Sequence, residues 1–584
     1  MSFGTPLILA LAAAALVGCR PGAAPSPAPA FPAYWPHRGP SIAARSAHAM
    51  VATDAPLASR VGVEILRAGG NAVDAAVATG FALAVVYPEA GNLGGGGFTL
   101  VRMADGRSAA IDHREIAPLA ATRDMFLDDS GRVTRQSVVG PLASGVPGSV
   151  AGLVATHERF GVLPLARVLA PAIRLAADGF EVDSLLAASL ARYSELIAEF
   201  AGGAVFLPGG QALSRGATLR QPALARTLRD IADSGAAAFY TGALSRRVAD
   251  DLQNAGSIIT GQDLASYAVE VREPIRATYR GHTIVTMPPP SSGVTMIETL
   301  NILEGFDPLP PYGSARRAHL LASAFQRAFV DRNALLADPA FAPVPVARLT
   351  SKSYAAGLRA TIGARASATS QVMARMREGG EGGAHTTHYS VVDAAGNAVS
   401  TTTTINDLYG SGVYLPTVGF FMNDEMDDFA GAPGRPNLFG LVQGEQNAIQ
   451  PGKRMLSSML PTIVLDRAAR PLLVVGARGG PRIITSVTQT IVNVIDHGMT
   501  LPDAIDAPRL HHQALPDTIR YERDGLTPAL LDSLRLLGYG TQVFGRGPAF
   551  SPGGNIGSVN GIMRTPRGWI GYSDPRSGGR AAGY

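Results

Sequence analysis

The stretch that most constrains the fold runs from His385 to Thr404 and reads HTTHYSVVDAAGNAVSTTTT. Both flanks are rich in β-branched and aromatic residues, and the turn-forming run DAAGN separates them, which predicts a β-hairpin. A loop made of Ala394, Ala395 and Gly396 places the glycine where a positive φ is needed. In this register the first threonine of the stretch faces the last. Their Cβ atoms should lie about 5 Å apart, close enough for the two hydroxyls to form a hydrogen bond.

The threonines of this hairpin have two interpretations. One is structural, because threonine favours strands. The other is that Thr386 and Thr404 are paired for a chemical purpose. The residues just before them, from Val372 to His385, are polar and rich in glycine, which predicts a mobile segment leading into the hairpin.

The distribution of charge argues against a nucleic-acid partner. The 584-residue chain has a formal net charge of +4 and a pI of about 9.2. Lysine occurs only at Lys352 and Lys453, and the basic clusters are isolated pairs such as Arg246–Arg247. Because a nucleic-acid-binding surface needs basic residues clustered on one face, we predict no such partner.

The N-terminus has the pattern of an exported lipoprotein. Residues 7–19, LILALAAAALVGC, are apolar but shorter than the roughly 20 residues of a membrane-spanning helix, which is typical of a signal peptide, although no lysine or arginine precedes them. The final LVGC resembles the lipobox of bacterial lipoproteins, in which the cysteine is lipidated. Cys19 is the only cysteine, which excludes an intrachain disulfide. We predict a signal peptide over 1–19, a Pro/Ala-rich tether over 20–45, and a periplasmic or cell-envelope protein anchored through Cys19.

Two helices are predicted near the start of the globular part, which begins at Ser46. The pair Gly69–Gly70 ends the first helix, and Asn71 with Asp74 forms a cap for the second. The second helix is apolar around most of its surface and about 15 residues long, so we predict a helix buried in the core rather than a membrane span.

The glycine run Gly94–Gly97 also has two interpretations. A phosphate-binding loop requires a following Gly-Lys-Ser/Thr, which is missing here. A strand, Phe98–Met103, follows instead of a helix, so we expect the glycines to permit close approach of two backbones. Residues 150–385 are predicted to be mostly helical. The chain beyond the hairpin should alternate between strands and turns, with a helix at about Val487–Asp496.

Two other kinds of site find little support. The histidines that could suggest a metal have no zinc-motif spacing, so we predict no metal. They are His385, His388, His511 and His512. A serine nucleophile at Ser457–Ser458 would require a Gly-x-Ser-x-Gly elbow, and MLSSML is not one. A buried serine pair bonded to backbone groups is the alternative for these two residues.

Several motifs together resemble the γ-glutamyltranspeptidase family. TTHYSVVDAAGNAVSTTTTIND, FMNDEMDDF, KRMLSSMLPTIV, GARGGPRIIT, DAPRLHH and DPRSGGRAAGY match that family's small subunit, and DHREIAP and LASGVPGSVAGL match its large subunit. The likeness extends from about Ser46 to Tyr584. It implies an α+β fold, the four-layer αββα sandwich of N-terminal nucleophile hydrolases. It also implies self-cleavage into a large subunit, 46–385, and a small catalytic subunit, 386–584, which stay together as one intertwined domain and heterodimer.

By this resemblance, the bond between His385 and Thr386 is cut and Thr386 becomes a chain terminus. Its hydroxyl is then the nucleophile and its own α-amino group, with a pKa near 7.7–8, is the base. Thr404 orients the hydroxyl, in agreement with the hairpin register. The implied reactions are those of a γ-glutamyltransferase and glutathione hydrolase. A γ-glutamyl group from glutathione or a similar compound moves to Thr386, and water or an amino acid or peptide acceptor removes it without a cofactor.

The same likeness implies which residues contact the substrate. The α-carboxylate is bound by the guanidinium of Arg114 and the hydroxyls of Ser457 and Ser458. The α-ammonium is bound by the amide of Asn406 and the carboxylates of Glu425 and Asp428. The oxyanion is bound by the backbone N–H groups of Gly479 and Gly480.

One departure from the family concerns the lid loop over the site. Many bacterial relatives have a tyrosine where this chain has Phe439, so a lid hydrogen bond is missing and the balance between hydrolysis and transfer is open. Two alternatives remain. Cephalosporin acylases share the nucleophile but accept a glutaryl group without an ammonium, against which Asn406, Glu425 and Asp428 argue. A non-catalytic envelope lipoprotein of the same fold would remain a single chain.

Overall fold

The structure is a computed structural model that describes Met1 and residues 31–37, 42–372, 386–545 and 555–584. The lipobox Cys19, His385 and nearly all of the segment predicted to be mobile therefore lie outside the described residues, as does most of the tether.

Two seven-stranded sheets form the centre of the protein. In spatial order the first sheet contains β1 (Ala44–Ser46), β20 (Gly568–Ser573), β19 (Ser558–Thr565), β15 (Pro471–Arg478), β14 (Thr462–Leu465), β9 (His282–Thr286) and β8 (Ile275–Tyr279). The second sheet contains β21 (Arg580–Gly583), β2 (Met50–Thr53), β10 (Thr387–Val392), β11 (Ala398–Thr404), β3 (Gly96–Arg102), β4 (Ser108–His113) and β7 (Glu270–Arg272). All neighbouring strands within both sheets are antiparallel.

Helices cover the two outer faces. The helices of the described residues are α1 (Pro56–Arg67), α2 (Ala72–Val86), α3 (Ser149–Phe160), α4 (Leu165–Asp178), α5 (Ser184–Arg192), α6 (Ser194–Glu199), α7 (Gly203–Phe206), α8 (Pro222–Ser234), α9 (Ala236–Tyr240), α10 (Ala243–Asn254), α11 (Gly261–Ser266), α12 (Gly293–Glu304), α13 (Ala315–Leu335), α14 (Val346–Leu349), α15 (Lys352–Ala360), α16 (Thr369–Val372), α17 (Arg482–Ile495), α18 (Leu501–Asp506) and α19 (Pro528–Leu536). Three smaller sheets lie at the periphery: β5 (Phe180–Glu181) with β6 (Thr218–Leu219), β12 (Tyr414–Leu415) with β13 (Phe420–Phe421), and β16 (Leu510–His511), β17 (Ile519–Tyr521) and β18 (Thr541–Val543).

The layers stack in the order helix, sheet, sheet, helix, which confirms the predicted αββα sandwich. Helices α1, α2 and α3 pack on the second sheet, and α12, α17 and α18 pack on the first. Side chains alternate between the two faces of a strand, so neighbouring residues enter different cores. Val391 belongs to the core beneath α2, whereas Val392 belongs to the core shared by the two sheets and α12.

The hairpin has the predicted register. Strand β10 pairs with β11 so that Thr387 faces Thr403 and Val392 faces Ala398. Gly396 has a φ of 90°, as the three-residue loop requires. The Asp393 side chain accepts from the backbone N–H of Asn397 at 3.0 Å, which closes the turn.

The caps of the first two helices also agree with the sequence. Gly69 has a φ of 92° just after α1, and Asn71 and Asp74 form a reciprocal capping box at the start of α2. All fifteen residues of α2 are buried, as predicted for a core helix. Within the described residues, none of the helices combines the length and apolarity needed to cross a membrane.

Two predicted elements differ from the structure in detail. The helix expected at about Val487–Asp496 begins five residues earlier, at Arg482, because proline is tolerated at a helix N-terminus and Pro481 occupies the position just before the first helical residue. The region 150–385 is mostly helical where it is described, but it also contributes β7, β8 and β9, which complete one edge of each sheet.

Candidate active site

The hairpin places two threonine hydroxyls together at its open end. Thr386 Oγ1 donates to Thr404 Oγ1 at 3.4 Å, which confirms the predicted pairing, and both residues are buried. The backbone N–H of Asn406 donates to Thr404 Oγ1 at 2.8 Å. Thr404 is thus fixed from both sides, and it holds the Thr386 hydroxyl in one position.

The glycine run lets the neighbouring backbone approach this end of the hairpin. A side chain at Gly95 would collide with the carbonyl oxygen of Thr404, and one at Gly97 would collide with that of Thr402. Asn92 Nδ2 donates to the Thr404 carbonyl at 2.9 Å. The run therefore has the close-approach role predicted for it.

Contacts between the two sheets place the start of β10 beside the end of β15. Ser390 Oγ donates to the carbonyl of Val474 at 3.3 Å. Two residues closer to the start of β10 and to the end of β15, any side chain at Gly476 would collide with the His388 ring. The same spacing, continued by two residues, predicts that Thr386 lies near Arg478, the last residue of β15.

Gly479 and Gly480 occupy the turn between β15 and α17. Their φ angles are 129° and 55°, which favours glycine at both positions. Within the described residues, neither N–H donates to a backbone carbonyl. The turn lies at the N-terminus of α17, where the helix dipole favours negative charge, so the two N–H groups are suited to an oxyanion.

Arg114 lies at the centre of a buried charge cluster. Its Nη2 pairs with Asp428, and its Nη1 lies 2.5 Å from Glu425 and 3.3 Å from Glu115. The contact with Glu425 has ion-pair distance but does not have hydrogen-bond geometry. Nε donates to the Met455 carbonyl at 3.3 Å, and the guanidinium has no solvent-exposed area. The residues predicted to bind opposite charges of a substrate therefore bind each other in this structure.

Three carboxyls around one guanidinium leave the cluster short of positive charge. Burial raises the pKa of all three carboxyls, that of Glu115 to about 7. Burial opposes the charge of Arg114, but the three carboxylates outweigh it and raise its pKa. Such a cluster must either retain protons near neutral pH or receive another cation. A ligand ammonium would be such a cation.

Asn406 connects the end of the hairpin that carries Thr386 to the acidic turn. Its φ is 76°, a conformation that asparagine tolerates better than most residues. Its backbone binds the Thr404 hydroxyl, and its Nδ2 donates to the Asp424 carbonyl at 3.1 Å. The 3₁₀ turn Glu425–Asp428 follows Asp424 directly, so this link fixes the position of the carboxylates relative to the threonine pair.

Ser457 and Ser458 lie in an extended segment beside the cluster, and both are buried. Ser457 N donates to the Pro290 carbonyl at 2.8 Å, and its Oγ accepts from Met459 N at 3.1 Å. Ser458 Oγ accepts from Arg332 Nη2 at 3.1 Å. The structure thus bonds this pair to both backbone and side-chain groups.

The lid turn is held by packing and backbone bonds. Phe439 is 3% exposed, and its ring belongs to the core shared by the two sheets and α12. Asn437 Oδ1 accepts from Phe439 N at 3.0 Å, and Gln513 Nε2 donates to the carbonyls of Phe439 and Gly440, both at 3.1 Å. Phenylalanine therefore anchors this lid through burial, without a hydroxyl.

Two charged residues of the site were not among the predicted ones. Glu115 directly follows Arg114 in DHREIAP, where a second charge beside a buried arginine was a signal. Arg332 lies in α13, in the otherwise mostly apolar run AFVDRNALL, and only the fold brings it to Ser458.

Two of the histidines considered as metal ligands, His388 and His511, are bonded to neighbouring polar side chains. His388 is bonded to Thr402 and Ser390, at 2.9 and 3.0 Å, and burial lowers its pKa to about 3. His511 is bonded to Thr485 and Gln513. The described part of the chain contains no group of three His, Cys, Asp or Glu residues that could hold a metal ion.

Comparisons with known proteins agree on one family. The family model described as Gamma-glutamyltranspeptidase matches residues 58–584. A glutathione hydrolase proenzyme of Escherichia coli (strain K12) is 44% identical over 575 residues, which cover 97% of each chain. An Acylase ACY 1 proenzyme of Pseudomonas sp. (strain V22) is 43% identical over 497 residues, 83% of this chain and 86% of the relative. Among solved structures, cephalosporin acylase from Bacillus halodurans has a TM-score of 0.82 at 30% identity, covering 95% of this chain and 99% of that one.

Proposed function

The chain belongs to the gamma-glutamyltranspeptidase family, and on this premise we propose how its site works. The protein is a γ-glutamyltransferase and glutathione hydrolase with the fold of N-terminal nucleophile hydrolases, made as a proenzyme and processed into two subunits. The observation that carries its mechanism is the hydrogen bond between Thr386 and Thr404 at the open end of the hairpin.

Maturation begins with attack of the Thr386 hydroxyl on the carbonyl carbon of His385. The C–N bond breaks, the α-amino group of Thr386 takes up the proton, and an ester joins the His385 acyl group to the threonine oxygen. Water then hydrolyses the ester. The products are a large subunit ending at His385 and a small subunit whose first residue has a free hydroxyl and a free amine.

In turnover the free amine of Thr386 is the base for its own hydroxyl. The oxygen attacks the γ-carbonyl carbon of the substrate, and the N–H groups of Gly479 and Gly480 stabilise the oxyanion by about 3 kcal/mol each. The leaving amine receives the proton, and a γ-glutamyl ester remains on Thr386. Water or the amine of an amino acid or peptide acceptor then attacks this ester and regenerates the hydroxyl.

The charge cluster supports recognition of a γ-glutamyl group. Its α-carboxylate can replace Asp428 as the partner of Arg114, with Ser457 and Ser458 as hydroxyl donors. Its α-ammonium can then bind the released Asp428 together with Glu425, with the side-chain oxygen of Asn406 as a further acceptor. The zwitterion adds no net charge to the buried site, and each of its two charges meets an opposite charge there, as a buried ligand charge requires.

A glutaryl acylase is the second candidate, because the relatives include acylases. Here the acidic turn argues for an ammonium. Glu425 and Asp428 are buried carboxyls that both form ion pairs with Arg114, and a glutaryl group would bring a further carboxylate without a cation to balance it.

Chromogenic γ-glutamyl and glutaryl anilides distinguish these candidates, assayed with and without a dipeptide acceptor. We expect hydrolysis of the γ-glutamyl anilide, faster anilide release with the acceptor, and far slower hydrolysis of the glutaryl anilide. Preference for the glutaryl anilide would establish the acylase instead. Absence of both activities, with one band on a denaturing gel, would support the non-catalytic lipoprotein.

For location, the proposal is a cell-envelope protein anchored by lipid on Cys19. Its support is the apolar run ending in LVGC. Two or more acyl chains bind a membrane stably, whereas one chain is marginal. Cys19→Ser should therefore block processing or release the protein into the exported soluble fraction. Wild-type and variant protein that are both soluble would contradict the anchor.

A further inference from the structure

Arg332 is a buried cation beside the substrate site. It lies in the last turn of α13 and is 1% exposed. Its Nε donates to Ser292 Oγ at 2.9 Å, its Nη1 to Asn333 Oδ1 at 3.2 Å and its Nη2 to Ser458 Oγ at 3.1 Å. Among the residues that the structure describes, no carboxylate forms an ion pair with it. A positive charge has thus been buried here with neutral partners only.

The direction of these hydrogen bonds follows from chemistry. A guanidinium can only donate, so Ser458 Oγ and Ser292 Oγ must both accept from Arg332. Each hydroxyl therefore keeps its own proton for another acceptor. Ser292 gives its proton to the Ser457 carbonyl at 2.6 Å. In the described residues no protein group accepts the proton of Ser458, so it is available to a ligand.

The charge of Arg332 also reaches the cluster around Arg114. Burial lowers the pKa of Arg332 to about 10, so it remains charged at neutral pH. The negative charge of Asp428, which pairs with Arg114, raises the pKa of Arg332 in opposition to burial. A substrate carboxylate that takes the place of Asp428 on Arg114 and accepts from the Ser458 hydroxyl would therefore interact with both positive charges.

We propose that Arg332 is a positioning and specificity residue for the substrate α-carboxylate, which makes Ser458 a hydroxyl donor and adds a second positive charge to that of Arg114. This inference rests on the proposed function. A purely structural arginine would affect all substrates equally when replaced. The proposed role affects substrates with a free α-carboxylate.

The test compares two substrates in the mature enzyme. One is the γ-glutamyl anilide, and the other is the same anilide with its α-carboxylate converted to a primary carboxamide. Arg332→Gln should raise KM for the first by roughly 10- to 100-fold, with kcat within about threefold of wild type. For the carboxamide, kcat/KM should change by less than about threefold. Equal losses on both substrates would overturn the proposal.

Arg327→Gln is the matched control. Arg327 is also buried in α13 without a carboxylate partner in the described residues, but it binds Thr361 and the Ser323 carbonyl and makes no contact with the site. It should leave the ratio of kcat/KM for the two substrates unchanged. If Arg327→Gln changes this ratio as Arg332→Gln does, the effect comes from a general disturbance of α13 and the proposal fails.

Coupling to Ser458 provides the second measurement. Because Arg332 acts in part through this hydroxyl, Arg332→Gln and Ser458→Ala together should cost clearly less than the product of the two single effects on KM. If the two single effects on KM multiply in full in the double variant, Arg332 does not act through Ser458. If Arg332→Gln does not mature into two bands, Arg332→Lys replaces it, because lysine keeps the charge but lacks the planar fork that donates to Ser292, Asn333 and Ser458 together. A loss specific to the carboxylate substrate in that variant supports the proposal, and an unselective loss refutes it. Wild-type enzyme inactive on the γ-glutamyl anilide would instead refute the proposed function.

Discussion

Asp428→Asn is the sharpest perturbation of the substrate site. It removes one negative charge from the buried cluster while keeping the size of the side chain. Arg114 retains Glu115 and Glu425 as partners, so the guanidinium is not left unpaired and the fold should survive. Self-cleavage should survive as well, because the carboxylate makes no contact with Thr386 or Thr404 in the structure.

The expected magnitude follows from the burial of this group. Removing one partner of a desolvated charge pair commonly costs about 2–5 kcal/mol. Asp428 is 7% exposed, so solvent screens the ammonium contact little, but Glu425 still offers one carboxylate. We therefore expect the lower part of the range. Since about 1.4 kcal/mol corresponds to a factor of ten, kcat/KM for a γ-glutamyl anilide should fall roughly 30- to 100-fold.

The assay compares γ-glutamyl and glutaryl anilides in wild type, Asp428→Asn and a matched control. Glutaryl hydrolysis should change by less than about threefold, because that substrate has no ammonium to lose. The control is Asp427→Asn, from the same turn, whose carboxylate accepts from Ser137 Oγ and Leu438 N. It should leave the ratio of kcat/KM for the two anilides unchanged. Equal losses of kcat/KM on both anilides in Asp428→Asn would show that Asp428 has a structural role and would refute the reasoning.

Three further outcomes are expected. Gly479→Ala should lower kcat about 100-fold or more with little change in KM, because an added Cβ would lie 2.9 Å from Gly557 Cα and displace an N–H group that binds the oxyanion. An unchanged kcat would exclude Gly479 from oxyanion binding. Phe439→Ala should cost about 3–5 kcal/mol and lower the thermal midpoint, whereas a wild-type midpoint would show that the lid is not held by its buried ring. Burial raises the pKa of Glu115 from 4.5 to about 7, so its proton stabilises the folded state below pH 4.5 and this contribution is lost as pH rises to 7. Glu115→Gln should therefore flatten the decline of the thermal midpoint between these pH values, and an unaltered decline would contradict the assignment.

The parts of the fold that were predictable are those set by neighbouring residues. The hairpin register depends on a turn of three residues and the alternation of strand faces, and the cap of α2 depends on Asn71 and Asp74. Such interactions are visible in the sequence because their partners lie a few positions apart. The roles of the residues predicted to contact the substrate came from family resemblance.

What was missed depends on distant partners. Arg114 and Asp428 are 314 positions apart, and their direct pairing follows from the folding of the whole chain. Arg332 and Ser458 are 126 positions apart, and no local pattern connects them. The early start of α17 was missed for a different reason. Gly479, Gly480 and Pro481 indicate a turn, and the sequence does not show that the helix begins directly after it, at Arg482.

The identity of the small subunit's first residue tests the central claim most directly. Purified protein should separate into two bands on a denaturing gel, and N-terminal sequencing of the smaller band should read Thr-Thr-His, with an intact mass corresponding to residues 386–584. Thr386→Ala should remain a single inactive chain, because the attacking hydroxyl is gone. A different first residue, or cleavage of Thr386→Ala at the same bond, would contradict Thr386 as the nucleophile.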